Sequence, residues 1–401
     1  MGEEETVEIT SQCLCKAHVF MASVKASALP LSFMLCHCES CRHKTGCLYF
    51  SDVRWPGAAD VDLSGLQKYY FSETLVDYFC GECYSPMFCK RTDPGAKAGV
   101  CTGSLSSSAP NLLEYGSHIF VGDTLDGGAT PWLRKGHISG QHLRRWKGWN
   151  ETSNRAGEEL PPSWPEPSSL PKPEGKVLPG TTPFYCHCRG VNLLLRSAAD
   201  LAMVPEGDLP WYVDPTSHKY LVTSCACELC RRSCGADMTS WTYAALTHVE
   251  FPTAAAAAGD DASPEARPFP LSATALKEAV SAKDRDPRLG TLEFYQSSPE
   301  VERYHCSRCS AQIFYVVSDR PDMVEIAVGL ISHPSGARAE GLLRWDYASL
   351  ADDEGRAGGW RDGLIGETRR EREEWRVERG YPEVWRKVRE ESLKARSVVL
   401  S

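Results

Sequence analysis

The segment Cys36-His37-Cys38-Glu39-Ser40-Cys41 places three cysteines in the pattern CxCxxC, and Cys225-Ala226-Cys227-Glu228-Leu229-Cys230 repeats that pattern later in the chain. In both copies a CxC pair precedes the triplet and a CxxC pair follows it. These pairs are Cys13/Cys15 with Cys80/Cys83, and Cys186/Cys188 with Cys306/Cys309. Seven cysteines that recur in one order predict two copies of a single cysteine-rich domain.

The repeat includes residues beside the cysteines. Tyr78-Phe79-Cys80-Gly81-Glu82-Cys83 aligns without a gap with Tyr304-His305-Cys306-Ser307-Arg308-Cys309. Gly103 and Gly329 follow the two CxxC pairs at equal distances. An internal duplication explains this agreement better than two unrelated metal clips do.

A chain of 401 residues exceeds the size of one hydrophobic core, which also favours two domains. We assign residues 7–150 to a first domain and 151–180 to a proline-rich linker. Residues 181–350 form a second domain with an alanine- and proline-rich insertion near 253–268, and 351–401 form a charged helical tail.

Short runs of β-branched and aromatic residues predict strands, and long helical periodicity is missing before the C-terminus. The clearest strand runs are 20–24, 119–121, 191–195, 313–317 and 324–328. Near the C-terminus, Pro382 indicates a helix start, followed by an apolar stripe at Val384, Trp385 and Val388. We therefore expect a mainly β protein with a helical tail that packs on the second domain.

The composition argues against membranes and nucleic acids. No window approaches the roughly 20 apolar residues that span a bilayer, and the N-terminus has neither a basic nor an apolar signal region. A net charge of −9 has the wrong sign for a chain that neutralises many phosphates. We expect a reducing compartment, the cytoplasm with the nucleus as the alternative. The sequence indicates no particular protein partner.

In a reducing compartment, closely spaced cysteines are more typical of metal sites than of disulfides. Structural zinc takes four ligands, whereas catalytic zinc keeps three protein ligands and one open position, and seven cysteines divide as four and three. The pairs Cys13/Cys15 and Cys80/Cys83 suit a closed site, and Cys36, Cys38 and Cys41 suit an open one. In the second copy the corresponding sets are Cys186, Cys188, Cys306 and Cys309, and Cys225, Cys227 and Cys230. We therefore predict two zinc ions per domain.

Two alternatives remain at this stage. A zinc ribbon that joins Cys36 and Cys41 to Cys80 and Cys83 also satisfies tetrahedral geometry. If the triplet forms an open site, its three thiolates favour a fourth sulfur and would hold an incoming thiol as a nucleophile. The second alternative is a purely structural triplet that is completed by His37 or by water.

The ordered cysteines resemble the glutathione-dependent formaldehyde-activating enzyme (Gfa) family, which includes centromere protein V, and they do so twice. The resemblance implies two tandem Mss4-like (β-tent) domains. It also implies a structural zinc on the CxC and CxxC pairs and a catalytic zinc on the triplet. The family's activity adds glutathione to formaldehyde to form S-hydroxymethylglutathione.

The two copies depart from the family pattern unequally. The family usually has glycine after each CxC and CxxC pair, where this chain has Lys16, Tyr84, Arg189 and Ser310. Its CHC motif is kept at residues 36–38, but the second copy has Ala226 at the centre. The first copy is therefore the expected active site.

Catalysis at that site is predicted for the open triplet Cys36, Cys38 and Cys41, with two neighbours. Arg42 could bind a glutathione carboxylate, and His118 could move a proton or contact the substrate. The plainer interpretations are a loop or supporting arginine and a satisfied core histidine. We interpret Cys47, Cys89, Cys101 and Cys234 as small buried hydrophobic residues.

Together these patterns predict a zinc-dependent carbon–sulfur lyase-type enzyme acting on a glutathione, or other thiol, adduct of a small aldehyde. The alternative is a non-catalytic zinc scaffold of the centromere protein V type that binds other proteins.

Overall fold

The computed structural model describes residues 5–56, 61–106, 109–152, 155–252, 268–352 and 359–388. Strands dominate, so the mainly β expectation is confirmed. The insertion predicted near 253–268 lies outside the described residues except for its last position. Among the described helices, none has both the length and the apolar character needed to cross a bilayer.

The first half, residues 5–150, consists of ten strands and the short helix α1 (Glu39–Thr45). The strands are β1 (Thr6–Gln12), β2 (Val19–Lys25), β3 (Leu31–Cys36), β4 (Phe50–Arg54), β5 (Gln67–Ser72), β6 (Leu75–Phe79), β7 (Pro86–Arg91), β8 (Gly99–Cys101), β9 (Leu113–Ile119) and β10 (Arg144–Trp146). Three two-residue strands follow: β11 (Glu151–Thr152), β12 (Arg155–Ala156) and β13 (Glu159–Leu160).

The second half, residues 181–351, contains helices α2 (Glu228–Cys234) and α3 (Ala273–Ser281). Its strands are β14 (Thr181–Tyr185), β15 (Asn192–Arg196), β16 (Tyr220–Cys225), β17 (Thr239–Ala245), β18 (Val249–Glu250), β19 (Leu292–Ser298), β20 (Val301–Cys306), β21 (Gln312–Val317), β22 (Met323–Ala327) and β23 (Leu343–Ala351). The long helix α4 (Trp360–Glu378) comes after both halves.

The main sheets of the two halves have the same strand order. The first sheet contains the order β9-β3-β4-β8-β7-β6-β5, and the second has β23-β16-β17-β22-β21-β20-β19. In both, a parallel pair places the strand before the triplet beside the last strand, β3 with β9 and β16 with β23. The first sheet is extended by β10 and β13. The two halves thus share strand order as well as cysteine spacing.

Four of the five predicted strand runs fall on β2, β15, β21 and β22. The run 119–121 is wrong, because β9 ends at Ile119. Phe120 has a left-handed backbone with φ of 55°, which breaks the ladder, and a 3₁₀ turn begins at Val121.

In each half, the short helix that contains the last triplet cysteine packs against a turn of the opposite half. Gly103 donates its N–H to the Gly235 carbonyl at 3.0 Å, and Gly329 donates to the Gly46 carbonyl at 2.9 Å. A Cβ atom on Gly103 would lie 2.3 Å from the Arg231 carbonyl oxygen. The two glycines of the repeat are therefore needed for close backbone contact between halves. Buried residues from both halves form one continuous hydrophobic cluster.

A short helix begins at Trp385, after Pro382. The expected packing on the second half alone is wrong, because the long helix α4, which precedes Pro382, contacts both halves. Trp360 Nε1 donates to the Ser106 carbonyl of the first half at 3.2 Å, while Arg372 Nη1 donates to Ser224 Oγ of the second half at 2.9 Å. Arg361 bridges the halves by donating to the Thr102 carbonyl at 3.0 Å and pairing with Asp237 at 3.4 Å.

The proline-rich stretch between the halves packs against both of them. Strand β13 pairs with β10 at the edge of the first sheet. Farther along, Lys219 Nζ of the second half donates to the Lys172 and Pro173 carbonyls at 3.0 and 3.3 Å. Leu170 and Val177 are buried.

Candidate metal centres

The fourteen cysteines of the repeat form four separate clusters, and within each the sulfurs lie within 4.8 Å of one another. Two closed clusters hold Cys13, Cys15, Cys80 and Cys83, and Cys186, Cys188, Cys306 and Cys309. Two open clusters hold Cys36, Cys38 and Cys41, and Cys225, Cys227 and Cys230. The zinc-ribbon alternative requires Cys36 and Cys41 to share an ion with Cys80 and Cys83, but the structure places these two pairs in separate clusters.

The donor sets fit zinc. Tetrahedral thiolate zinc has metal–sulfur bonds of about 2.3 Å, which requires sulfurs roughly 3.8 Å apart. The Sγ atoms of Cys13 and Cys15 are 3.5 Å apart, and those of Cys36 and Cys38 are also 3.5 Å apart. All eighteen cysteines are free thiols. The clusters differ in accessibility, because three of four closed-cluster cysteines are buried, whereas two of three are partly exposed in each open cluster.

The residues that replace the family's glycines all have a left-handed backbone. Lys16, Tyr84, Arg189 and Ser310 have φ between 57° and 66°. Each turns the chain back over its own cluster, as when the Tyr84 N–H donates to the Cys80 carbonyl at 3.0 Å. Non-glycine residues tolerate this conformation at a cost of about 1–2 kcal/mol. The turns are thus kept although the glycines are not.

Each open cluster lies where a strand meets a helix. In the first half, β3 ends at Cys36 and Cys38 caps α1, with its sulfur accepting the Cys41 N–H at 3.3 Å. Neighbouring thiols donate to Cys38 and lower its pKa to about 3, whereas in the second open cluster they lower the pKa of Cys230. The thiolate is therefore favoured on a partly exposed sulfur in the first cluster and on a buried one in the second.

Arg42 lies beside the first open cluster but is only 5% exposed. Its Nε donates to the His37 carbonyl at 3.3 Å. Burial lowers the pKa of Arg42, whereas Asp126, Glu39 and Cys38 raise it, so its charge lies close to this thiol and these carboxylates. Because it is buried, Arg42 is not a solvated loop arginine. Its position fits a role in balancing the charge of the cluster better than a role in binding a large substrate, which would need an exposed guanidinium.

Arg231, the equivalent of Arg42 in the second half, supports the packing of the halves. Its Nη1 donates to the Gly103 and Leu105 carbonyls at 2.6 and 2.7 Å. Arg232 is also buried, and its Nη1 donates to Gln12 at 2.8 Å. These contacts engage both guanidinium groups in the packing of the two halves.

His118 is fully buried and bonded at both ring nitrogens. Nδ1 lies 2.9 Å from Nε2 of His37, and Nε2 donates to the Leu133 carbonyl at 2.7 Å. Burial lowers the pKa of His118 to about 3, so the ring stays neutral. The geometry matches the satisfied core histidine better than a residue that contacts substrate.

The second open cluster has a direct cation that sequence reasoning missed. Arg303 is 2% exposed, and its Nη1 donates to Cys230 Sγ at 3.6 Å. Its Nε donates to Ser297 Oγ at 3.2 Å, and its guanidinium lies 4.9 Å from the Tyr315 ring centroid. No motif marks this residue, because it comes to the cluster from the distant strand β20.

The four cysteines outside the repeat are buried, as predicted. Cys47, Cys89, Cys101 and Cys234 are at most 7% exposed. Among the described residues they belong to none of the four metal-competent clusters. Cys89 and Cys101 pack with Cys41 and Phe50 behind the first open cluster.

Fold and clusters together define a mainly β protein with duplicated cysteine sites able to hold metal ions. Residues 8–123 match the family model of the glutathione-dependent formaldehyde-activating enzyme. The match covers less than a third of the chain and includes all seven repeat cysteines of the first half. No curated protein and no solved structure matches the chain.

Proposed function

We propose that the first half is a zinc-dependent enzyme that forms or cleaves the carbon–sulfur bond of a glutathione adduct with a small aldehyde. The observation that carries this proposal is the open cluster of Cys36, Cys38 and Cys41, which offers three sulfurs, two of them partly exposed. The family match of residues 8–123 supports glutathione as the thiol.

Zinc held by three thiolates would supply a Lewis-acidic position for a fourth sulfur ligand. In the net reaction the thiol sulfur bonds to the carbonyl carbon, and the carbonyl oxygen gains the proton that the thiol loses. Arg42 offsets part of the negative charge of the cluster. The buried His37–His118 pair holds the β3 end of the cluster against the Leu133 carbonyl.

The second half is proposed to hold metal without sharing this activity. Its open cluster has Arg303 against Cys230 and lacks the paired histidines, because Ala226 replaces His37. A cation that donates to a ligand sulfur reduces the negative charge of that sulfur. This arrangement favours a structural ion.

The matched variants Cys38→Ser and Cys227→Ser test the proposal in the full chain. We expect four zinc ions per wild-type chain by plasma mass spectrometry, and the loss of about one ion in each variant. Calorimetry should show saturable glutathione binding in the wild type and in Cys227→Ser, and none in Cys38→Ser. Near-ultraviolet circular dichroism checks that both variants are folded.

Two results would contradict the proposal. Two zinc ions per folded wild-type chain would exclude separate open sites. Equal loss of glutathione binding in both variants, or none in either, would remove the distinction between the halves.

A non-catalytic zinc scaffold is the second candidate, and one observation favours it. Helix α1 begins at the first open cluster and contacts the second half through Gly46 and Gly329. Metal at this cluster would then organise the contact between halves. Under this function Cys38→Ser would lower the unfolding temperature and separate the halves, while the wild type would not bind glutathione.

A further inference from the structure

His187 belongs to the second half, between Cys186 and Cys188, yet its ring packs against strand β5 of the first half. The ring stacks on Phe71 with centroids 4.6 Å apart and planes 14° from parallel. Its Nδ1 lies 2.6 Å from the Tyr69 hydroxyl. Within the part of the chain that the structure describes, Tyr69 is the one hydrogen-bond partner of this ring.

Phe71 links His187 to the first open cluster. Phe71 packs on the group of buried residues that contains Cys41, and Cys36 and Cys38 pack on the same group. The His187 ring therefore lies, through Phe71, beside the first open cluster. His187 is half-buried and thus retains access to solvent.

Backbone and side-chain contacts hold this segment to helix α1. The His187 N–H donates to the His43 carbonyl at 2.9 Å, and His43 Nδ1 bonds the Tyr185 carbonyl at 2.7 Å. The rings of Tyr185 and His43 stack at 4.1 Å, and the Tyr185 hydroxyl donates to Glu39 at 2.9 Å. Since α1 also carries Cys41, these contacts fix the distance between His187 and the open cluster.

The residues at the equivalent positions beside the second open cluster differ from His187 and Phe71. Leu14 stands between Cys13 and Cys15 where His187 stands in the second half. Tyr295 corresponds to Tyr69, because the two lie opposite Arg303 and Asp77 in equivalent hairpins. Ser297 replaces Phe71 and bonds Arg303 instead of supporting a ring. Thus an imidazole from the opposite half packs beside the first open cluster through Phe71, whereas the corresponding sequence position for the second open cluster holds Leu14.

We propose that His187 contacts the substrate at the first open cluster, donating a hydrogen bond from Nε2 to the oxygen of the thiol–aldehyde adduct. This proposal rests on the function proposed above. When the Tyr69 hydroxyl donates to Nδ1, the ring proton is on Nε2, which makes that nitrogen a donor. The adduct oxygen gains negative charge as the carbon–sulfur bond forms and loses it as the bond breaks, and a positioned donor stabilises that charge.

Kinetics of the full chain with glutathione and formaldehyde test the contact. His187→Leu places the side chain of Leu14 at this position and should lower kcat/KM about 10- to 100-fold, the effect of losing one hydrogen bond to a charged oxygen. His187→Gln keeps a donor near Nε2 and should recover part of the loss. Glutathione binding alone and zinc content should stay unchanged, since neither involves the adduct oxygen.

The matched pair Tyr69→Phe and Tyr295→Phe separates a positioning effect from a general one. Tyr69→Phe frees the His187 ring and should lower kcat/KM several-fold, whereas Tyr295→Phe should have no effect. Wild-type rates in His187→Leu, or the loss of zinc from it, would overturn this contact while leaving the proposed function standing. A zinc-loaded wild type that neither binds glutathione nor turns it over would overturn both.

Discussion

The two open clusters occupy the same place in two sheets of the same strand order, yet their surroundings differ at almost every polar position. Behind the first cluster lie the histidine pair His37 and His118 and the buried ion pair of Lys44 with Asp77, 3.4 Å apart. The second cluster has Ala226 in place of His37. By strand register, Leu350 takes the place of His118, because it lies opposite Ser224 as His118 lies opposite Leu35.

The buried cations also differ between the halves as a pair of positions, as the two histidines do. Lys44 on α1 corresponds to Ser233 on α2, and Asp77 on β6 corresponds to Arg303 on β20. The buried cation is therefore on the helix in the first half and on the strand in the second half. There it donates directly to Cys230, whereas Lys44 pairs with a carboxylate. Buried polar groups change in sets, since one unmatched partner costs more than the removal of both.

The largest effect should come from Lys44→Met. The pKa of Lys44 is lowered by burial but raised more strongly by Asp77 and nearby thiols, so it is charged in the folded protein. Removing it leaves Asp77 buried without a counter-charge, and we expect a loss of about 3–5 kcal/mol of unfolding free energy. The measurement is urea unfolding followed by circular dichroism.

The control for Lys44→Met is the double variant Lys44→Met/Asp77→Asn, which removes both charges and should regain most of the loss. A single variant as stable as the double would show that the pair does not act as a unit.

A smaller effect is expected when the histidine pair is converted to the residues of the second half. His37→Ala leaves His118 Nδ1 without its partner in the core and should cost about 1–3 kcal/mol beyond the lost packing. Adding His118→Leu removes the unpaired group, so the double variant should be more stable than His37→Ala. Additive losses in a double-mutant cycle would contradict a coupled pair.

The pair should also make the first half sensitive to acid. His118 has a folded-state pKa of about 3, below its ordinary value of 6.5, so below pH 6.5 the unfolded chain binds a proton that the folded chain does not. Its contribution to stability is complete above pH 6.5 and is lost as the pH falls toward 3. The slope is at most about 1.4 kcal/mol per pH unit.

Urea titrations at several pH values, restricted to those at which zinc content is unchanged, measure that slope. The double variant His37→Ala/His118→Leu should show a shallower dependence than the wild type. Identical slopes would mean that the acid sensitivity arises elsewhere.

The smallest effect concerns the equivalent left-handed positions Lys16 and Arg189. Lys16→Gly relieves backbone strain and should stabilise the chain by less than about 1 kcal/mol, because glycine also gains entropy when unfolded. Arg189→Gly relieves the same strain but loses the guanidinium stack 3.4 Å from the Tyr185 ring centroid. We therefore expect no gain at Arg189. A thermal shift assay distinguishes the two, and equal gains would show that the stack contributes nothing.

Much of this organisation is readable from the sequence. Cysteine spacing indicated the duplication and the metal-competent residues, because short CxC and CxxC turns bring sulfurs together locally. It allowed both the division into four and three and the zinc ribbon, and only the structure groups the sulfurs as four and three. Strand runs such as 20–24 and 313–317 were found because β-branched and aromatic residues cluster there. The run 119–121 failed because the left-handed turn at Phe120 has no glycine to mark it.

Contacts between residues far apart in sequence could be decided only by the tertiary structure. The cysteine pattern identified the metal-competent sulfurs, but Arg303 contacts Cys230 from a distant strand, and His187 stacks on Phe71 from the opposite half. Likewise the sequence presented His118 as a catalytic candidate, and its burial against His37 and Leu133 makes it a core residue. Local spacing specifies ligands because it acts over a few residues, whereas a site's surroundings depend on how two sheets pack.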